Sequence, residues 1–151
     1  MLPPKEFRTI KQPFFSKVCC ACVAVMAVGE DLAYADKHIT FTQSEDGRPY
    51  VRFRHLLEFL GGHGIGCGLT GTFTGEEFDP LELFPLELCL VGFPAVVTVK
   101  SETLRTYNHV VFWDGQHIRD PDPKKPDVTK FSDYALVDLM PLMYIDESGE
   151  P

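Results

Sequence analysis

Residues 19 to 29 read CCACVAVMAVG, an unbroken run of small and apolar residues closed by a glycine. As a helix this run has no polar face, so it must be covered on all sides and cannot lie on a surface. The spacing predicts a buried helix from about Lys17 to Val28, with Ser16 as its cap and Gly29 as its stop. Four basic residues (Lys5, Arg8, Lys11, Lys17) precede the run and Ala33-Tyr34-Ala35 follows it, which imitates a secretory signal with its cleavage site. Glu30 and Asp31 lie where such acids are unusual, and the run is too short to span a bilayer. A buried helix is therefore the expectation.

The rest of the chain arranges itself around that helix. Residues 1–15, with Pro3, Pro4 and Pro13, read as an extended lead-in. Asp31 can cap a short helix to His38, residues 39–43 read as extended, and Asp46-Gly47 marks a turn. Val51 to Leu60 gives a clear helical pattern, with Phe53, Leu56, Leu57 and Leu60 on one face and Gly61-Gly62 as the stop. Gly64 to Phe73 reads as strand or loop, Thr74 to Pro80 as an acidic connection, and Leu81 to Leu90 stays open because Pro85 interrupts either element. Strands are expected at Pro94–Lys100 and Asn108–Trp113, joined by the loop Ser101–Tyr107. Asp114-Gly115 is a type I′ pair returning through Gln116–Arg119, and Ala135–Ile145 adds one or two edge strands. Helices first and an antiparallel sheet afterwards define an α+β class. At 151 residues the expectation is a single domain over 1–151, with a disordered tail at 147–151.

Charge and cysteine usage narrow the function classes. A net charge of -8 argues against an electrostatic grip on nucleic acid or an anionic membrane. Cys19, Cys20 and Cys22 are too close together to find separate bridge partners, and Cys67 and Cys89 do not form a second C-x-x-C pair. Disulfide and zinc frameworks are both disfavoured, a reducing cytoplasmic compartment is expected, and neither cofactor nor metal is expected.

Cys19 falls in the first turn of the expected helix, where free backbone N–H groups favour an anion and can lower a thiol pKa. His109 opens a strand (NHVVFWDG) and, by alternation, shares a face with Val111 and Trp113. A two-residue turn at Asp114-Gly115 would set His109 directly opposite Asp120, with Cβ atoms about 4.5–5.5 Å apart. That is close enough for the carboxylate to hold the imidazole toward a nucleophile. Among the other histidines, His55 lies beside an apolar helix face, His63 in a glycine-rich loop, and His38 and His117 at the surface. The segment from Gly61 to Gly66 lacks the lysine and helix start of a phosphate loop. Glu76, Glu77 and Asp79 read as a solvated acidic cluster.

The pattern resembles the papain-like cysteine peptidases, especially the bacteriocin-leader-processing peptidase domains of ABC transporters and small predicted peptidases of bacteria and phages. The resemblance rests on Gln12, on the segment from Cys19 to Gly29, on HVVFWDGQHIRDP from His109 to Pro121, and on the tail SDYALVDLMPL. It implies a helical layer packed on an antiparallel sheet, with Cys19 as nucleophile, His109 as base, Asp120 as orienting acid and Gln12 as oxyanion donor. Two positions depart from that pattern. Cys20 stands where a small residue is usual, and Gln12 lies seven residues before Cys19, where five or six is usual. Cys20 is the rival nucleophile, but the ten-residue span from Cys19 to Gly29 matches the family's helix. The implied activity is cleavage of a peptide, isopeptide or amide bond, with a peptide or protein as partner and a bacterial cytoplasm as compartment. Two rival functions keep the same shape: a non-catalytic protein that binds a partner, and a deamidase- or transglutaminase-like acyl transferase.

Overall fold

The computed structural model describes residues 1–68, 90–101 and 108–146. The first helix, α1, spans Cys19–Val28, and every residue from Ala21 to Val28 is buried. It begins two residues later than the sequence predicts, because Ser16 is not its cap. Both the N–H and the hydroxyl of Ser16 donate to the Pro13 carbonyl (3.2 and 2.6 Å), closing a turn ahead of the helix. Val18 takes the cap position without a side-chain bond, and Gly29 ends the helix in the left-handed region (φ 78°) as expected. The second helix, α2, spans Leu32–His38, with the Asp31 carboxylate accepting the Tyr34 N–H at 3.0 Å. β1 (Thr42–Gln43) and β2 (Pro49–Tyr50) form a small antiparallel hairpin around the Asp46-Gly47 turn.

The third helix, α3, spans Phe53–Gly62, so Gly61 and Gly62 form its last turn instead of stopping it. The end is set by His63, whose N–H and ring nitrogens are held by Phe59, Leu60 and Tyr34. The buried face is Leu56, Phe59 and Leu60, while Phe53, at the helix start, is 39% exposed.

A five-stranded antiparallel sheet follows, in the order β3-β7-β4-β5-β6. Its strands are β3 (Ile65–Cys67), β4 (Ala95–Lys100), β5 (Asn108–Trp113), β6 (Ile118–Arg119) and β7 (Leu136–Tyr144). The chain is thus α+β. β7 is a single nine-residue strand between β3 and β4, not an edge. Leu136, Leu139, Met140 and Leu142 are buried along it, and it pairs with β3 on one side and β4 on the other. Two cores occupy the faces of the sheet. Val96, Val110, Phe112, Met140 and Leu142 pack with α1, α2 and α3, while Ala95, Val97, Val99, Val111, Trp113 and Ile118 pack with Phe131, Tyr134, Leu136 and Leu139.

The β5–β6 hairpin corrects the expected turn. Phe112 pairs with Arg119 and Trp113 with Ile118, leaving a four-residue loop, 114–117, where a two-residue turn was expected. Asp114 closes it: its N–H donates to His117 O at 3.0 Å, and its Oδ1 accepts the N–H groups of Gln116 and His117. Gly115 adopts φ 97° and accepts from Gly92 N–H at 2.8 Å, so close that a Cβ would meet the Gly92 backbone at 3.1 Å. The readings of Leu69 to Cys89, which include Glu76, Glu77 and Asp79, lie outside the described residues. So do those of residues 102–107 and of the tail 147–151. Among the described residues no helix is long and apolar enough to cross a membrane.

Candidate active site

The lead-in and the hairpin β1–β2 together deliver the start of α1. Phe15 adopts φ 60°, a left-handed conformation that is strained for a bulky residue by about 1–3 kcal/mol. The Phe15 carbonyl accepts from Arg48 at 2.9 Å, and Arg48 is itself paired with Asp46. Lys17 then forms a parallel bridge to Tyr50 and pairs with Asp46 at 3.1 Å. Cys19 is the first residue of the helix, so its backbone N–H belongs to the group with no intrahelical acceptor. The helix packs across β5, which brings Cys19 level with His109 and Val110.

His109 and Asp120 do meet, although not by the expected register. Continuing the observed pairing places Asp120 opposite Val111, diagonal to His109. The expected register was wrong by two residues, an even slip that leaves side chains on their original faces. The diagonal is still within reach of an imidazole. His109 Nε2 lies 2.6 Å from Asp120 Oδ1. Asp120 is 1% exposed, and the His109 side chain is 18% exposed. Asp120 Oδ1 also accepts the Asp122 N–H at 2.8 Å, and Oδ2 accepts the Tyr134 hydroxyl at 2.6 Å. An ionised carboxylate accepts only, so His109 Nε2 carries its proton, and Nδ1 is left for Cys19.

Electrostatics follow from these contacts. The Cys20 thiol donates to the Cys19 sulfur and lowers its pKa. Burial opposes this, but the hydrogen bond and charge of His109 and the Val110 N–H add to it, and the result lies well below the usual thiol range. Burial alone would depress His109; hydrogen bonds to Asp120 and Cys19, and the charges on both, raise it to about 10. Burial pushes Asp120 up, but the hydrogen bond and charge of His109, with Tyr134 and the Asp122 N–H, bring it below the usual carboxylate value. Cys20, the donor in its pair, is raised well above the ordinary thiol value, and burial raises Cys22 to about 12. Burial also raises Cys67. Cys19, Cys20, Cys22 and Cys67 are all free.

Gln12 lies beside the acid. Its N–H donates to Pro121 O at 2.9 Å, and its side-chain Oε1 is buried without a hydrogen-bond partner. Lys11, read in the sequence only as part of a basic cluster, has its ammonium against the carbonyls of Asp120, Asp122, Lys125 and Pro126 at 2.8–3.1 Å. The sequence pattern marks Cys20 only as a rival nucleophile and Tyr134 only as part of the tail motif, and it does not place Lys11 at the site, since each contact depends on tertiary placement. His38, His55 and His63 stand apart, around a depression between α2 and α3. Among the described residues no group of three or more His, Cys, Asp or Glu side chains is placed to hold a metal ion.

No family model matches the chain, and no curated protein matches it. Among solved structures it is similar to a double glycine motif protease from an AMS/PCAT transporter, crystallised in complex with the leader peptide. The likeness covers 93% of this chain and 99% of that one, at 16% identity and a TM-score of 0.48. At that identity and score it assigns no family to the chain.

Proposed function

We propose that this protein is a thiol hydrolase of papain-like fold, a helical layer on an antiparallel sheet, which cleaves a peptide or related amide bond. The observation that carries the reading is the chain of contacts from buried Asp120 through the His109 ring to a Cys19 thiol of lowered pKa. In this mechanism the Cys19 thiolate attacks the acyl carbon. The oxyanion is held by the Cys19 backbone N–H, with the Gln12 side-chain amide as second donor. His109 gives its Nδ1 proton to the departing amine, which leaves Cys19 as a thioester. Water then attacks the thioester as Nδ1 takes its proton, releasing a carboxylic acid and restoring the thiolate. Asp120 keeps the Nε2 proton in place throughout.

Alkylation tests this directly. Iodoacetamide at near-stoichiometric dose and pH about 6 is expected to label Cys19 ahead of Cys20, Cys22 and Cys67, because only a low-pKa thiol is ionised there. Peptide mapping that finds Cys22 or Cys67 labelled first removes the basis for catalysis. The rival reading as a non-catalytic binder is separated by Cys19→Ala, which ends hydrolysis but leaves a binding function intact.

A further inference from the structure

We infer that Tyr134 is a positioning residue of this site, fixing the Asp120 carboxylate through its second oxygen; the inference rests on the proposed thiol-hydrolase function. Asp120 is the one charged residue buried as a whole among the described residues, 1% exposed. A carboxylate so placed needs donors on both oxygens. Oδ1 has two, His109 Nε2 at 2.6 Å and the Asp122 N–H at 2.8 Å, while the donor to Oδ2 is the Tyr134 hydroxyl at 2.6 Å. The terminal torsion of an aspartate is soft, so a carboxylate held at one oxygen alone can swing. Held at both, it presents Oδ1 to the imidazole in one orientation.

The phenol is in turn held from behind. Its single proton goes to Asp120, because an ionised carboxylate can only accept. The 2.7 Å contact between Thr129 Oγ1 and the Tyr134 oxygen is therefore a bond donated by Thr129. Thr129 exchanges both backbone hydrogen bonds with Ile118 (3.0 and 2.8 Å), two residues before Asp120. Tyr134 closes the 3₁₀ turn Phe131–Asp133 through its N–H to Phe131 O at 3.1 Å. The relay from Thr129 through Tyr134 to Asp120 thus begins and ends next to β6 and forms a closed ring. Burial and the contact with Asp120 raise the Tyr134 pKa, so the phenol remains a donor across the working pH range. A tyrosine present only to fill the core would need the ring and not the hydroxyl.

Tyr134→Phe separates the two roles, with the pH dependence of Cys19 alkylation by iodoacetamide as readout. In the unsubstituted chain the alkylation midpoint lies well below the free-thiol value of about 8.5. A midpoint near 8.5 there removes the proposed function itself and, with it, this inference. With a low midpoint in the parent, Tyr134→Phe is expected to raise it by about one unit, a roughly ten-fold loss of thiolate below the midpoint. An unchanged midpoint in a variant with native circular dichroism overturns the positioning role and leaves the proposed function standing. Thr129→Val, which removes the donor behind the phenol at nearly constant volume, decides the matter if Tyr134→Phe does not fold. Its midpoint is expected to move in the same direction by a smaller amount, and a folded Thr129→Val with the parent midpoint overturns the inference.

Discussion

At Cys19 three neighbours of different kinds act on one sulfur: the Cys20 thiol, the His109 imidazole and the Val110 backbone N–H. The thiol next in sequence has the opposite fate, because the hydrogen that Cys20 gives to Cys19 can be given only while Cys20 stays protonated. Under the proposed function, this asymmetry makes Cys20 a helper of the Cys19 nucleophile and not its rival. Cys20→Ala is expected to raise the alkylation midpoint of Cys19 by about one pH unit, leaving it below the free-thiol value of about 8.5 while His109 remains. A midpoint unmoved in Cys20→Ala, followed by mass spectrometry across pH 4–9, shows that the second thiol contributes nothing. Asp120→Asn tests the other end of the chain of contacts. The shape is kept, but an amide can turn its N–H₂ toward His109 Nε2 and favour the wrong tautomer. Turnover is expected to fall on the order of 10³–10⁴-fold with native circular dichroism. A fall of less than ten-fold removes Asp120 from the mechanism.

The elements divide into those whose local chemistry is decisive and those settled by packing. The helix α1, the cap at Asp31, the turn at Asp46-Gly47 and the strands β4 and β5 were legible because each carries its own pattern: apolar run, side-chain cap, turn pair, alternation. The start of α1, the end of α3 and the central place of β7 were not. Ser16, His63 and Leu136–Tyr144 take their roles from contacts with distant parts of the chain. The site shows the same division. The juxtaposition of Cys19, His109 and Asp120 could be read from helix start, strand start and hairpin, and an even register error left His109 and Asp120 on the same face. The strap that holds the acid loop could not be read. In that strap Thr9 donates to Asp127 O at 2.5 Å, Lys11 reaches four carbonyls, and Gln12 bonds Pro121. Lys11→Met keeps the apolar stem but strips the loop of its donor. The expected loss is about 1.5–3 kcal/mol in urea unfolding, together with slower alkylation of Cys19 at pH 6. Stability and alkylation both equal to the parent's exclude the strap from site assembly.

For the molecule as a whole, the thiolate–imidazolium pair gives stability a characteristic dependence on pH. In the unfolded chain His109 titrates near 6.5 and Cys19 near 8.5. In the folded chain His109 is raised to about 10 and Cys19 is lowered well below its usual value. A raised histidine contributes fully below 6.5 and loses that contribution as pH climbs toward 10. A lowered cysteine contributes fully above 8.5 and loses it as pH falls toward its folded pKa. Between about 6.5 and 8.5, wherever the lowered Cys19 is already ionised in the folded chain, both forms carry one proton on this pair: the unfolded form on sulfur, the folded form on imidazole. The two slopes cancel there, so the pair contributes a plateau that falls away on either side. Cys19→Ala removes the cysteine slope and leaves only the part of the histidine slope that Asp120 sustains. Its stability is expected to decline with rising pH across 6.5–8.5, by at most about 1.4 kcal/mol per unit for a single proton, while the parent's pair holds level. Urea unfolding of both chains from pH 5 to pH 10 reads this as a difference curve in which the titrating groups not coupled to Cys19 cancel. The difference, parent minus Cys19→Ala, should climb with pH from the acid side and stop climbing by about 8.5. A flat difference would mean that Cys19 has the same pKa folded and unfolded, and that the sulfur is an ordinary thiol.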